Sequence, residues 1–132
     1  MVEVTQREFD RPSYATATVA TDGANATLVT ITAKNANGRP TPVIMDLWLS
    51  DTTTGSLLTA VTASGAVQGK NNGVTGTDLV VHVAKKALCV MTLAAGTYQL
   101  SITDTAKTAF KIFVQIDGVR SLIATLTAAS YG

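Results

Sequence analysis

Apolar and polar residues alternate in short runs along most of this chain. A period of two places successive side chains on opposite faces of an extended backbone, as a half-buried β-strand requires. In residues 25–34, for example, Val29, Ile31 and Ala33 share one face, and threonine and lysine occupy the other. Runs of this kind cover residues 14–20, 25–34, 43–50, 78–83, 88–93, 97–103, 109–116 and 119–127. We therefore predict about eight strands whose apolar faces pack into one core.

Turn-forming residues separate these runs. Asp117-Gly118 lies between the last two, and Asp-Gly in this setting is a strong hairpin signal, because a type I′ turn needs positive φ at both positions. Residues 56–63 fit either a strand or a short helix. Residues 64–77 are rich in glycine and asparagine, so we predict that they form the longest loop. Long ordered loops often carry function.

Short strands at spacings of roughly 8–12 residues, without an amphipathic helix of useful length, are typical of a β-sandwich or barrel. We expect an all-β fold, an antiparallel β-sandwich, in a single domain that covers residues 14–132. Residues 1–13 differ from the rest, because charged residues crowd into the segment that ends at Pro12. We interpret this segment as an arm outside the main fold, either a frayed terminus or a strap on a neighbouring subunit.

The chain is poor in charge. Charged residues make up 14% of its 132 residues, and the formal net charge is +1. The basic residues are scattered, so we expect no nucleic-acid partner, which would need a clustered basic face. No apolar run approaches the roughly 18 residues of a membrane span, and the N-terminus lacks a signal-peptide pattern. We expect a protein made in a cytosol, without a membrane partner, whose surface costs little to desolvate against another protein.

The chain has few residues suited to catalysis or metal binding. His82 is the single histidine and lies between two valines, where it either faces solvent or packs as a neutral ring. Cys89 is the single cysteine, and its apolar run favours a buried, inert thiol. Most aspartates occupy turns, where their side chains bond to nearby backbone. We therefore predict no catalytic residue, no metal site and no cofactor.

Partner contacts are the better candidate for function. Residues 43–50 have a fully apolar face that points into the core, and Trp48 lies on the opposite face beside Asp46. Trp48 either packs under a loop or anchors an interface. The candidate contact residues, from the arm, this strand and the long loop, are Val4, Arg7, Phe9, Arg11, Trp48, Lys70, Asn71 and Asn72. Strands with few charges also leave sheet edges open to pairing between subunits, so we expect a dimer or a trimer.

Two segments resemble known families. Residues 30–43, Thr-Ile-Thr-Ala-Lys-Asn-Ala-Asn-Gly-Arg-Pro-Thr-Pro-Val, resemble the strand–turn–strand of bacterial immunoglobulin-like domains of the invasin and intimin type. Residues 95–103 are similar to the Gly-x-Tyr strand entry of immunoglobulin-like sandwiches, where a tyrosine pins a corner. Residues 56–93 follow the adhesin pattern poorly, so the strand count and topology there stay open.

The wider layout resembles small virion proteins of tailed bacteriophages. The likeness covers residues 14–128 and rests on residues 46–51 (Asp-Leu-Trp-Leu-Ser-Asp), the glycine-rich middle, the Gly-Thr-Tyr strand and the terminal hairpin. It implies an immunoglobulin-like sandwich on the outside of a capsid, where a non-enzymatic decoration or cement protein binds the major capsid protein or another virion protein. The alternative function is an adhesin or tail-associated module that binds a host-surface glycan or protein.

Overall fold

The computed structural model of the protein describes residues 13–132, and these residues are almost entirely β-structure. The prediction of an all-β fold is confirmed, with nine strands rather than about eight, and with one short 3₁₀-helix. The elements are β1 (Tyr14–Thr21), β2 (Ala26–Lys34), β3 (Ile44–Ser50), β4 (Val67–Gly69), β5 (Thr77–Val83), β6 (Ala87–Met91), β7 (Thr97–Thr103), β8 (Lys111–Ile116), β9 (Val119–Thr125) and the 3₁₀-helix Ala128–Ser130. No helix within residues 13–132 has the length and apolar character needed to cross a membrane.

The strands form two antiparallel sheets that pack as a β-sandwich. One sheet has four strands in the order β1-β2-β7-β4, and the other has five in the order β5-β6-β3-β8-β9. The core lies between them and is built from alternate residues of the central strands, as the period-two pattern predicts. Its fully buried side chains include Val29, Ile31, Met45, Leu47, Leu49, Tyr98, Leu100, Ile102, Phe110 and Ile112.

Seven of the nine strands occupy the positions of an immunoglobulin-like sandwich. In the constant-type arrangement, strands A-B-E-D form one sheet and strands C-F-G form the other. Here β1-β2-β7-β4 holds the first set of positions and β3-β8-β9 holds the second. β6 and β5 extend the second sheet beyond β3, where variable-type domains add C′ and C″. The chain forms β4 before both of them, so the path between β3 and β7 is different from that of a variable domain.

The terminal hairpin is confirmed. β8 pairs with β9 from Ile116 and Val119 outward, and the two turn residues between them both have positive φ, 50° at Asp117 and 78° at Gly118. Aspartate tolerates this left-handed region better than most residues, and glycine enters it without steric cost. The local sequence therefore sets the register of this edge of the sheet.

Two predictions about the middle of the chain are wrong. Residues 56–63 form neither a strand nor a helix. The Thr59 N–H donates to the Leu49 carbonyl oxygen at 2.8 Å, and Asp51 accepts from the Thr59 hydroxyl at 2.6 Å and from the Ala60 N–H at 2.9 Å. Residues 64–77 are not one loop, because Val67–Gly69 pairs with β7 as strand β4. The longest connection is instead residues 51–66, between β3 and β4.

Asp78, the second residue of β5, links the two sheets. It belongs to β5 of the five-stranded sheet, yet its carboxylate accepts a hydrogen bond from the Tyr98 hydroxyl in β7 and one from the Gly69 N–H in β4. Burial, together with this hydrogen bond, raises the pKa of Tyr98, so its hydroxyl stays protonated and donates. Tyr98 therefore does not pin an immunoglobulin tyrosine corner, because it bonds to a side chain of the opposite sheet instead of nearby backbone.

Candidate functional site

The side of the five-stranded sheet that faces away from the core, here called the outer face, collects most of the polar and aromatic residues that could bind a partner. Alternation along β3 places Asp46 and Trp48 there, opposite the buried Leu47 and Leu49. Cross-strand pairing then sets their neighbours, since Asp46 lies opposite Cys89 of β6 and Trp48 lies opposite Phe113 of β8. The outer face is therefore a direct product of strand register.

Trp48 is half-buried and held in one orientation by three contacts. Its ring stacks on Phe113 with centroids 5.7 Å apart and planes 14° from parallel. Its Nε1–H donates to the Gly55 carbonyl oxygen at 3.0 Å, which draws the 51–66 connection over the ring. The Arg120 guanidinium lies 5.7 Å from the ring centroid, within the range of a cation–π contact. Trp48 thus packs under the 51–66 connection, and its role as an interface anchor stays a prediction.

A shallow cavity of about 250 Å³ opens beside Trp48 on the outer face. Its walls combine the indole ring with a carboxylate, a guanidinium and an imidazole, and with exposed leucines of the 51–66 connection. The wall includes Asp46, Trp48, Leu57, Leu58, His82 and Arg120. An aromatic ring bordered by hydrogen-bonding groups is an arrangement that fits a small polar ligand.

His82, Asp46 and Cys89 converge next to this cavity. His82 Nε2 lies 3.3 Å from Asp46 Oδ1, and one ligand atom from each of the three residues lies within 4.8 Å of the others. They come from three adjacent strands, β5, β3 and β6. Sequence reasoning missed the cluster because it counted histidine and cysteine alone, without the aspartate on the neighbouring strand.

Cys89 corrects one expectation directly. The sequence predicts a buried thiol, but β6 alternates so that Leu88 and Val90 enter the core while Cys89 faces outward and is only partly buried. Desolvation and the nearby Asp46 carboxylate raise the pKa of Cys89, so the free thiol is protonated at neutral pH. It is therefore a poor nucleophile, since the thiolate is the reactive form.

The edge strand β5 carries an unusual exposed apolar surface. Four successive or near-successive side chains are exposed: Leu79 (44%), Val80 (53%), Val81 (58%) and Val83 (42%). They occur on both faces of the strand, which is the edge strand of its sheet and pairs with β6. Within the described part of the chain, the outward side of β5 has no strand neighbour. We call residues 79–83 the apolar edge.

The loop residues predicted to contact a partner lie elsewhere. Lys70 Nζ forms an ion pair with Asp22, at 2.7 and 2.8 Å from its two carboxylate oxygens. Asn71 adopts positive φ (56°), and Asn72 bonds through its side chain to Asp78. All three shape the β4–β5 turn. The turn adjoins the start of β5, whereas Trp48 lies level with its end, so the structure does not bring these candidates together.

The remaining predicted contact residues, Val4, Arg7, Phe9 and Arg11, lie outside residues 13–132, so their predicted role stays a prediction. Of the four predicted contact residues that the structure describes, only Trp48 belongs to the outer face. Arg120, His82 and the apolar edge were not predicted. Two signals in the sequence bear on them: the run Leu-Val-Val-His-Val lacks alternation, and Arg120 follows the Asp117-Gly118 turn at the position that pairs with Gln115.

Comparison with known proteins gives no relative: no protein-family model, no curated protein and no solved structure matches this chain.

Proposed function

We propose that this chain is a non-enzymatic structural protein of a virion, which decorates or cements a capsid surface and assembles through its own sheet edge. The observation that carries the proposal is the apolar edge of β5. Natural β-sheet proteins protect such edges with lysine, proline, β-bulges or a covering segment, and of these protections residues 13–132 provide β5 only with the register shifts in its pairing with β6. Residues 79–83 contain none of these residue types, and their aliphatic side chains are about half exposed.

A second copy of the chain is the occupant that we propose for this edge. Antiparallel pairing of two β5 strands would extend two five-stranded sheets into one and would satisfy main-chain groups on both strands. Burying an aliphatic side chain contributes about 1.5–3 kcal/mol when complete, so half-exposed residues on two copies contribute several kcal/mol together. Such a contact is isologous and gives a two-fold dimer.

Decoration of a capsid would then follow from repetition of weak contacts. A dimer presents each of its remaining surfaces twice, and many copies on a symmetric shell make individually weak contacts cumulative. The low charge of the chain, 14% of residues, supports broad desolvated contacts with the major capsid protein or another virion protein. The outer face with Trp48 and the arm, residues 1–13, are the surfaces that we assign to that contact.

The dimer is tested with a charged residue in the apolar edge. Val81→Lys places an ammonium group where the second strand would pair, so we expect a monomer by light scattering coupled to size-exclusion chromatography, at concentrations where the original chain is a dimer. Val74→Lys is the matched control, because Val74 is also exposed (76%) but lies in the β4–β5 turn. A monomeric original chain, or a dimer that survives Val81→Lys, contradicts the proposed edge.

The capsid role is tested by sedimentation. The chain should pellet with virus-sized particles in a density gradient of lysate from cells producing the virus that encodes it. Deletion of residues 1–13 should abolish pelleting and leave the circular dichroism spectrum unchanged. Absence of the chain from particles contradicts the virion role, and unchanged pelleting after the deletion contradicts only the assignment of the arm.

A second function, binding of a host-surface glycan by an adhesin or tail-associated module, is favoured by one observation. The cavity beside Trp48 combines an aromatic face with hydrogen-bonding groups of Asp46, His82 and Arg120. Saturable binding on a glycan array, lost in Arg120→Ala, would favour this function over decoration. No binding across the array would remove it.

A further inference from the structure

We propose that Asp46, His82 and Cys89 form a binding site for one zinc-like divalent metal ion on the outer face. The three residues offer a carboxylate oxygen, an imidazole nitrogen and a sulfur, with one ligand atom of each within 4.8 Å of the others. This mixed set suits Zn²⁺ and its spectroscopic substitute Co²⁺, whereas Mg²⁺ and Ca²⁺ prefer oxygen ligands alone. The site shares His82 with strand β5 of the apolar edge, but it does not depend on the proposed capsid role.

The distances fit such an ion. Ligand atoms around tetrahedral zinc lie roughly 3.3–3.7 Å apart, as follows from metal–ligand distances of about 2.0–2.3 Å. His82 Nε2 and Asp46 Oδ1, 3.3 Å apart, already meet this spacing. The sulfur of Cys89 must close by at most about 1.5 Å, which rotation of a partly exposed side chain allows.

The backbone explains why the three residues meet. Asp46 and Cys89 are direct cross-strand partners in the β3–β6 pairing, so they share the outer face by register. The β5–β6 pairing shifts between Val81 and Val83, which pair with Leu88 and Ala87, so His82 is an additional residue at this step, and its ring nitrogen lies within 4.8 Å of the Cys89 sulfur. Bulges of this kind re-aim a side chain and are enriched next to functional sites. Two central strands and one bulged edge strand therefore position the ligands before any ion binds.

The surroundings favour an ion with one open coordination position. The side chains of His82 and Asp46 are 51% and 55% exposed, so an ion can enter without unfolding and their desolvation costs little. Both residues line the cavity beside Trp48, so a fourth ligand, water or a small polar molecule, would be bound from that side. Three protein ligands with an open fourth position are the pattern of zinc sites that bind an exchangeable ligand.

The test is titration of the full 132-residue chain with Co²⁺, and then with Zn²⁺ by calorimetry, in the presence of a phosphine reductant that keeps Cys89 reduced. We expect one ion per chain and a sulfur-to-cobalt charge-transfer band, which only a thiolate ligand gives. Cys89→Ser should remove the band. Asp46→Asn and His82→Asn should each weaken binding by at least about 10-fold, since even loss of an outer-shell partner has effects of that size.

Asp117→Asn is the matched control. Asp117 is an exposed aspartate in the β8–β9 turn, with positive φ that asparagine also tolerates, so its affinity for Co²⁺ should equal that of the original chain. Circular dichroism of each variant establishes that the sandwich is intact. The proposal is overturned by cobalt binding without the charge-transfer band, by equal affinity of Cys89→Ser, or by no binding at millimolar metal.

Discussion

Asp78 is the residue whose removal should reveal how the edge strand is fastened to the opposite sheet. Its carboxylate accepts hydrogen bonds from the Tyr98 hydroxyl and from the Gly69 N–H, the latter at 3.0 Å. Tyr98 is fully buried, so Asp78→Ala leaves its hydroxyl without a partner inside the sandwich. The perturbation thus combines a lost charged hydrogen bond with an unsatisfied buried donor.

The magnitude follows from these contacts. A hydrogen bond to a charged group contributes about 1.5–3 kcal/mol, and an unsatisfied buried donor costs about 1–3 kcal/mol. Both values include the loss of the same Tyr98–Asp78 hydrogen bond, so they do not add in full, and we expect Asp78→Ala to lower the free energy of unfolding by about 3 kcal/mol. Tyr98→Phe removes only the hydroxyl and leaves Asp78 with Gly69 and Asn72, so we expect a loss of about 1–2 kcal/mol.

The assay is urea denaturation at neutral pH, followed by circular dichroism and by the fluorescence of Trp48, the single tryptophan. The double variant should lose about 1–2 kcal/mol less than the sum of the single losses, because both substitutions break the same hydrogen bond. Asp46→Ala is the control: among residues 13–132 this exposed aspartate pairs only with His82, so its loss should stay within about 0.5 kcal/mol. Strictly additive losses, or an Asp78→Ala loss as small as the control's, would refute the reasoning.

Three further predictions concern stability. Burial would raise the pKa of Asp104, but hydrogen bonds from Thr108 and nearby backbone outweigh it and lower the pKa. Asp104 therefore adds its full share to the free energy of unfolding above the unfolded pKa of about 3.9, and this share is lost as pH falls through the folded pKa. Urea titrations should therefore show Asp104→Asn to be less stable than the original chain at pH 7, by a margin that shrinks in acid; a constant margin would contradict this. Gly55→Ala should lower the free energy of unfolding by about 1–3 kcal/mol, because the added Cβ would lie 2.6 Å from the Phe113 ring and φ is +68°. An unchanged urea midpoint would show that the loop moves away from the ring without cost. Leu100→Ala, in the fully buried core, should lose about 2–5 kcal/mol by the same measurement, and a loss below about 1 kcal/mol would mean that the core collapses around the gap.

The core and the terminal hairpin were predictable because local rules determine them. Alternation in β2, β3 and β7 directs apolar residues inward whichever strands become neighbours, and Asp117-Gly118 joins adjacent strands through its own backbone preference. The middle of the chain was less predictable, because residues outside a segment decide its structure there. Residues 56–63 have an apolar pattern, but their hydrogen bonds go to residues outside the segment, to the Leu49 carbonyl oxygen and to the Asp51 carboxylate, instead of to a neighbouring strand.

Trp48 combines a feature that the local sequence determines with one that only the tertiary structure determines. Its outward direction follows from the parity of β3 alone, whereas its support by Phe113, Gly55 and Arg120 depends on three distant segments. The cluster of Asp46, His82 and Cys89 is of the second kind, since the residues are 36 and 43 positions from Asp46 along the chain.

The sequence by itself determined an all-β chain, the inward-facing residues and the final hairpin, because side-chain alternation and turn chemistry act over a few residues. The tertiary structure alone decided which strands lie side by side, and with them the bulge at His82, the exposed edge of β5 and the link from Asp78 to Tyr98. Alternation determines which side chains of a strand face the core, but it does not determine which strand lies beside it, because any strand with an apolar face on the same side can pair there. Strand order therefore depends on long-range pairing.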